Sequence, residues 1–251
     1  MIMKLLAERK ENIMWITLNR PKNHNAIDSE MMNALEHLIQ EIKRKEWIKC
    51  VVITGNGKSF CAGGDLEEFH GLKTERAAYD MLERMGRILY DIMTLPVPTV
   101  ALINGAAVGG GCELATACDY RFASKDAIIG FIQGNLGIIT GWGGAAMLHE
   151  KVCYYQAMTM LCSAHRFSAE EASDYGFINK IFPDDVIESC YKWLNKMIVS
   201  NIKVQKAYKA VVIRKWEESN LRERMKAEIT ECASLWESEE HSQAIAAFFR
   251  K

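Results

Sequence analysis

Three successive glycines, Gly109, Gly110 and Gly111, constrain what this chain can fold into more than any other feature. They separate an apolar, β-branched run, Thr99–Ile103, from Cys112, Glu113 and Leu114, where a helical pattern opens. Glycine lets backbone and ligand approach closely. A helix that starts here presents its first N–H groups unpaired, and its dipole favours negative charge. Glu113 adds a carboxyl group in the first turn. Two readings fit the segment taken alone: a loop that stabilises a developing anion, or a tight strand-to-helix turn with a surface glutamate.

A chain of 251 residues, 49% hydrophobic, can bury one large core or two small ones. The formal net charge of −1 gives no electrostatic reason for a nucleic acid or an anionic membrane as partner. Eight cysteines are scattered without a C-x-x-C pair, the pattern of reduced thiols in the cytoplasm. The six histidines are scattered too, so no metal site is expected. Residues 1–8 lack the apolar length of a signal peptide. Residues 92–112 carry no charge, but Pro96, Pro98, Asn104, Gly105 and the three glycines punctuate them too heavily for a spanning helix.

Strands and helices alternate through residue 132. Residues 3–7 and 13–18 read as a hairpin around Lys10, Glu11 and Asn12. Ser29 opens a helix with Met32, Leu35, Ile39 and Ile42 on one face. Buried strands are predicted at residues 50–55 and 99–103, shorter ones at 119–123 and 128–132, and helices at 75–93 and 110–118. The alternation predicts an α/β core. From Gly143 onward the pattern is helical, with a capping box at Ser168 and Glu171 and helices at 184–198, 203–216, 221–236 and 240–249.

Gly57, Lys58 and Ser59 imitate the end of a phosphate-binding loop, but the motif needs glycine where Val52 stands. There is no G-x-G-x-x-G and no G-x-S-x-G. A second glycine cluster does matter: residues 59–66, SFCAGGDL, also follow a strand. Two such loops can each donate one N–H to a single carbonyl oxygen, the geometry of an oxyanion hole.

At this point a resemblance becomes specific. Residues 18–26 (LNRPKNHNA), 59–66, 103–114 (INGAAVGGGCEL), Cys118 with Asp119, 136–138 (LGI), Gly143 with Gly144, and 167–172 (FSAEEA) occur in order and at the spacing of one family. Over nearly its full length the chain resembles the crotonase, or enoyl-CoA hydratase/isomerase, superfamily. The resemblance implies a spiral of ββα units over residues 1–195 and a helical C-terminal trimerisation region over 196–251. It implies acyl-CoA substrates, a homotrimer or a dimer of trimers, and no cofactor beyond the coenzyme A of the substrate. It places the oxyanion donors on Gly64 and Gly110. Lys22, Asn23, Ala26, Ala62, Gly63, Asp65 and Leu66 then line the coenzyme A path, and Trp142 lies beside the acyl pocket.

The family's hydratases use two glutamates. Glu113 matches the first, but the second position, twenty residues on, is Gln133. An amide orients water or a carbonyl and cannot take a proton at neutral pH. A closer resemblance, in residues 118–122 (CDYRF), 129–131 (IGF), 141–144 (GWGG), 235–236 (LW) and 244–246 (AIA), is to the ethylmalonyl-CoA/methylmalonyl-CoA decarboxylase-type branch. Decarboxylation needs a held enolate and a later proton source, not an initiating base. Two alternatives stay open: enoyl-CoA hydration or isomerisation, and a non-catalytic acyl-CoA-binding scaffold. Blander roles are open for several residues. Gln133 can face solvent, Trp142 can serve packing, and Asp65 can cap its own loop. Glu67, Glu68 and His70 read as a solvated helix start. Cys61 and Cys112 read as packing residues, Asp119 and Arg121 as a buried pair, and Lys203, Lys206 and Lys209 as a solvated face.

Overall fold

The computed structural model describes residues 3–198 and 201–250; Met1 and Ile2 of the N-terminal segment lie outside them. The strands are β1 (Leu5–Lys10), β2 (Ile13–Leu18), β3 (Cys50–Gly55), β4 (Ser59–Cys61), β5 (Thr99–Ile103), β6 (Ala106–Val108), β7 (Tyr120–Ser124), β8 (Ile128–Gly130), β9 (Phe167–Ser168) and β10 (Lys180–Phe182). The helices are α1 (Ser29–Arg44), α2 (Leu66–Phe69), α3 (Glu75–Met93), α4 (Gly110–Ala117), α5 (Gly144–Leu148), α6 (Tyr154–Cys162), α7 (Ala169–Asp174), α8 (Val186–Met197), α9 (Ile202–Glu218), α10 (Leu221–Trp236) and α11 (Glu239–Phe248).

Every residue of β3 and β5 is buried, the pattern of strands covered on both faces. They pair in parallel at the centre of a six-stranded sheet ordered β1-β2-β3-β5-β7-β10. A second sheet is ordered β4-β6-β8-β9. The chain gives one strand to each sheet in turn: β3 then β4, β5 then β6, β7 then β8. This is the expected spiral, in a mixed α/β fold. One face of the large sheet, with Ile13, Trp15, Cys50, Val52, Val100, Leu102, Phe122 and Phe182, packs under Cys190 and Leu194 of α8. Its other face, with Ile16, Val51, Ile53, Ala101 and Ile103, joins the main core. Because β4, β6 and β8 are parallel neighbours, the segments after them leave the small sheet at one edge. That edge carries the site.

The sequence placed several boundaries differently. The first strand runs to Lys10, pairing Lys10 with Ile13. The eighth ends at Gly130, because residues 133–136 turn into a 3-10 helix. Two strands interrupt the region that reads as wholly helical. They are two and three residues long, too short for periodicity, and long-range pairing makes them: Ile129 with Phe167, and Lys180 with Phe122.

Asp119 and Arg121 do not pair through their side chains as expected. Arg121 satisfies its guanidinium on carbonyls, donating to Phe177 O at 2.6 Å and Cys118 O at 3.0 Å. The Asp119 carboxylate accepts from Thr99 N at 2.9 Å and from Lys209, with Lys151 3.9 Å away. Lys209 is therefore 6% exposed rather than solvated, and both lysines lie over the Trp216 ring. This cluster fastens α9 to the core. Removing one partner of a buried ion pair leaves an uncompensated charge. Asp119→Asn is expected to lower the unfolding free energy by about 3 kcal/mol. Urea unfolding checks this, and an unshifted midpoint would mean that the cluster adds nothing to stability.

Candidate active site

The first glycine loop is laced to the segment before α1. Ala62 N donates to His24 O at 3.0 Å, Ile27 N to Gly63 O at 2.8 Å, and Asp65 N to Ile27 O at 3.0 Å. Gly63 holds φ at +96°, a backbone setting that glycine adopts freely. The Asp65 carboxylate caps α2, accepting from Glu67 N at 3.0 Å, and pairs with Arg20 at 2.7 Å. Arg20 also reaches Asp28, 3.3 Å away. One guanidinium thus ties both sides of the loop together.

The second loop leaves β6 at Gly109, whose φ of 56° and ψ of −124° suit only glycine. Gly109 N donates to Gly130 O at 2.8 Å, and α4 begins at the next residue. The loops abut: a Cβ on Gly63 would sit 3.0 Å from Gly110 N. Neither Gly64 N–H nor Gly110 N–H has an acceptor among the described residues. The Trp142 indole covers Gly110 so closely that a Cβ there would collide with it. A Cβ on Gly64 would lie 3.5 Å from the same ring and 3.3 Å from Phe69. Two unpartnered donors therefore flank one aromatic wall.

Glu113 lies one turn into α4 and is 2% exposed. Its carboxylate accepts four hydrogen bonds: Gln133 Nε2 at 2.9 Å, Gly141 N at 3.2 Å, Trp142 N at 2.8 Å and Gly144 N at 2.9 Å. Gln133 Oε1 is buried without a partner among the described residues. Burial, reinforced by the nearby Glu228 carboxylate, pushes the Glu113 pKa up to about 8 against the pull of the three backbone N–H groups. Glu228, on α10, is itself raised by burial and accepts from Thr140 Oγ1, Ala145 N at 2.9 Å and Ala146 N at 2.7 Å.

The sequence profile of the enoyl-CoA hydratase/isomerase family matches residues 8–251. The chain belongs to that family, the crotonases. The short-chain-enoyl-CoA hydratase of Clostridium acetobutylicum is 30% identical over 249 residues, 98% of this chain and 95% of the relative. The ethylmalonyl-CoA decarboxylase of Xenopus laevis is 31% identical over 244 residues, 96% of this chain and 81% of the relative. A crystal structure of an enoyl-CoA hydratase from Bacillus halodurans shares the fold, with a TM-score of 0.89 at 24% identity over 98% of this chain and 100% of the other. The protein is thus a crotonase-family acyl-CoA enzyme.

In this crotonase the predicted site residues do not all converge. Gly64, Gly110, Glu113, Gln133 and Trp142 form one cluster. Gly63 and Asp65 shape its first loop, while Ala62 and Leu66 are half-buried beside it. Ala26 is 8% exposed beneath the loop, and Lys22 and Asn23 lie exposed on a 3-10 turn leading to it. Glu67, Glu68 and His70 are exposed. Cys61 and Cys112 are buried thiols, and burial pushes Cys61 up to about 12, which suits packing rather than nucleophilic attack. Among the described residues no three His, Cys, Asp or Glu side chains gather as a metal-ligand group, and no helix is long and apolar enough to cross a membrane. Sequence reasoning missed Arg20, Thr140 and Glu228. Arg20 stands inside a quoted motif, but Glu228 carries no local signal in a helix crowded with charge.

The raised Glu113 pKa has a sign. Folding takes up a proton there between the ordinary 4.5 and about 8, so the group's stabilising contribution is complete below the lower value and lost as pH rises through the upper. The melting temperature of the parent is expected to fall more steeply than that of Glu113→Gln from roughly pH 6 to pH 9. Parallel melting curves would refute the raised value.

Proposed function

We propose that this enzyme decarboxylates a short malonyl-type acyl-CoA. The observation that carries the reading is the amide of Gln133 against the Glu113 carboxyl, where the family's hydratases, by the resemblance, have a second glutamate. The Gly64 and Gly110 N–H groups hold the thioester oxygen. The bond from the α-carbon to the carboxylate breaks, and its electron pair becomes an enolate shared between the α-carbon and that oxygen. Carbon dioxide leaves, and the α-carbon takes a proton. Two oriented donors stabilise the charge where it develops. Trp142 and Phe69 exclude water from the carboxylate that must be lost.

Glu113 supplies the proton. With a pKa of about 8 it is mostly protonated at neutral pH. Its surroundings are donors, so a protonated carboxyl needs one acceptor, and Gln133 provides it by turning its amide to present Oε1. Nε2 then faces the substrate. Once the proton has gone, the three backbone N–H groups stabilise the carboxylate that remains, and the amide turns back to donate through Nε2.

Lys22, Asn23, Ala26, Ala62 and Leu66 lie along the coenzyme A path in this reading, with no cofactor beyond the substrate's own coenzyme A. We place the enzyme in the cytoplasm, which its eight free cysteines suit. The helices of the C-terminal region 196–251, in which residues 199, 200 and 251 lie outside the described residues, assemble the trimer in this reading, alone or as a dimer of trimers. The support is an uncovered apolar stripe on α9: Val204, Tyr208 and Val211 are 41%, 73% and 56% exposed.

The test is turnover. Methylmalonyl-CoA or ethylmalonyl-CoA is expected to release carbon dioxide, whereas hydration of crotonyl-CoA without that release would overturn the reading. Hydration or isomerisation is the second reading, favoured by the short-chain-enoyl-CoA hydratase relative. Gln133→Glu separates the two. A second carboxylate is expected to raise crotonyl-CoA hydration by about 10²-fold, the lower range for a positioned acid or base, while decarboxylation falls. If the parent already hydrates crotonyl-CoA and the variant gains nothing, the amide is not the deciding group.

A further inference from the structure

Residues 140–146 carry Trp142, yet little of their own sequence fixes them. Gly141, Gly143 and Gly144 have no side chains with which to fix the segment themselves. The short helix α5 starts here with Gly143 as its N-cap, a residue with no side chain to satisfy the first N–H groups. The missing acceptors come from two distant helices. Glu113 of α4 takes Gly141, Trp142 and Gly144 N–H, and Glu228 of α10 takes Ala145 and Ala146 N–H together with the Thr140 hydroxyl. Five backbone N–H groups of one segment thus end on two carboxylates. The α10 helix is itself seated firmly, with Met225, Ile229, Cys232 and Ala233 buried and Ile229 filling the space that a side chain on Gly86 of α3 would need.

We infer that Glu228 is a positioning residue, fastening residues 140–146 to α10 so that the Trp142 indole stays against the Gly110 donor. Glu113 alone grips the first half of the segment. Without Glu228 the second half, from Ala145, has only the hydroxyl of Thr140 as a side-chain acceptor, at 3.1 Å. The ring then gains freedom over a donor whose alignment sets the rate. The kinetic part of this inference rests on the oxyanion-hole reading above; the structural part does not.

Glu228→Gln keeps the size and loses the charge and one acceptor. In a variant shown to be folded by circular dichroism, kcat for the acyl-CoA that the parent turns over is expected to fall about 10²-fold, as for a small misplacement of a reacting group, with KM nearly unchanged. Acrylamide quenching assigned to Trp142, as the difference between each protein and its Trp142→Phe counterpart, is expected to rise from the low value of a side chain 3% exposed. A lower melting temperature with kcat and Trp142 quenching unchanged would make Glu228 a fold residue only and overturn the inference. If Glu228→Gln does not fold, Thr140→Val, which removes only the hydroxyl, is read by the same two measurements: the same directions support the inference, and no change overturns it. Should the parent turn over no acyl-CoA, the reaction reading fails, and the quenching difference alone decides the role of Glu228.

Discussion

Glu113 is a carboxyl group with almost no path to water, and four N–H groups converge on it. Isolated in a core, such a group costs several kcal/mol, while a hydrogen bond to a charged group returns about 1.5–3 kcal/mol. The balance favours the buried carboxyl only if the donors stay in place. Holding Glu113 and ordering residues 140–146 are therefore one event. The same contact explains a glycine: a Cβ on Gly144 would fall onto the Glu113 side chain, so that glycine serves close approach rather than flexibility. The ring of Trp142 and the donor of Gly110 take their positions from this arrangement.

The fold supplies the parts in a fixed place. Each turn of the spiral sends one strand into the small sheet, and the chain leaves β4, β6 and β8 at the same edge. Ala62 to Asp65, Gly109 with Gly110, and Phe131 to Gln133 are the three exits. Residues far apart in sequence meet there because the strands before them are parallel neighbours. One donor comes from the first exit, the second donor from the next, and the amide from the third.

The larger strands were legible because β3 and β5 are continuous apolar runs, and the long helices because Met32, Leu35, Ile39 and Ile42 repeat with helical spacing. The glycine loops and Glu113 were legible as a pattern. The short strands β9 and β10 were not, since only their partners across the sheet define them. Lys209 looked solvated because its neighbours along the helix are charged; its burial follows from Asp119, ninety residues away. Glu228 escaped for the same reason. Its role is set by two N–H groups of α5, a helix too short and too rich in glycine to announce itself.

On the proposed reaction, one side-chain group separates this enzyme from a hydratase. Two carboxylates facing each other would repel, and water between them would be held by one and activated by the other. An amide in the second place removes that base, but it gains a property a carboxylate lacks. It presents a donor or an acceptor according to the protonation of its neighbour. Against an ionised Glu113, Gln133 donates through Nε2 and leaves Oε1 unpartnered, an arrangement with a penalty for the buried oxygen. Against a protonated Glu113 the turned amide accepts through Oε1 and leaves Nε2 for the substrate. The amide can therefore serve either form of Glu113, while burial and the Glu228 carboxylate raise its pKa. An acid that is weak enough to hold its proton until an enolate forms, and well solvated by N–H groups once the proton is lost, suits a reaction that needs its proton last.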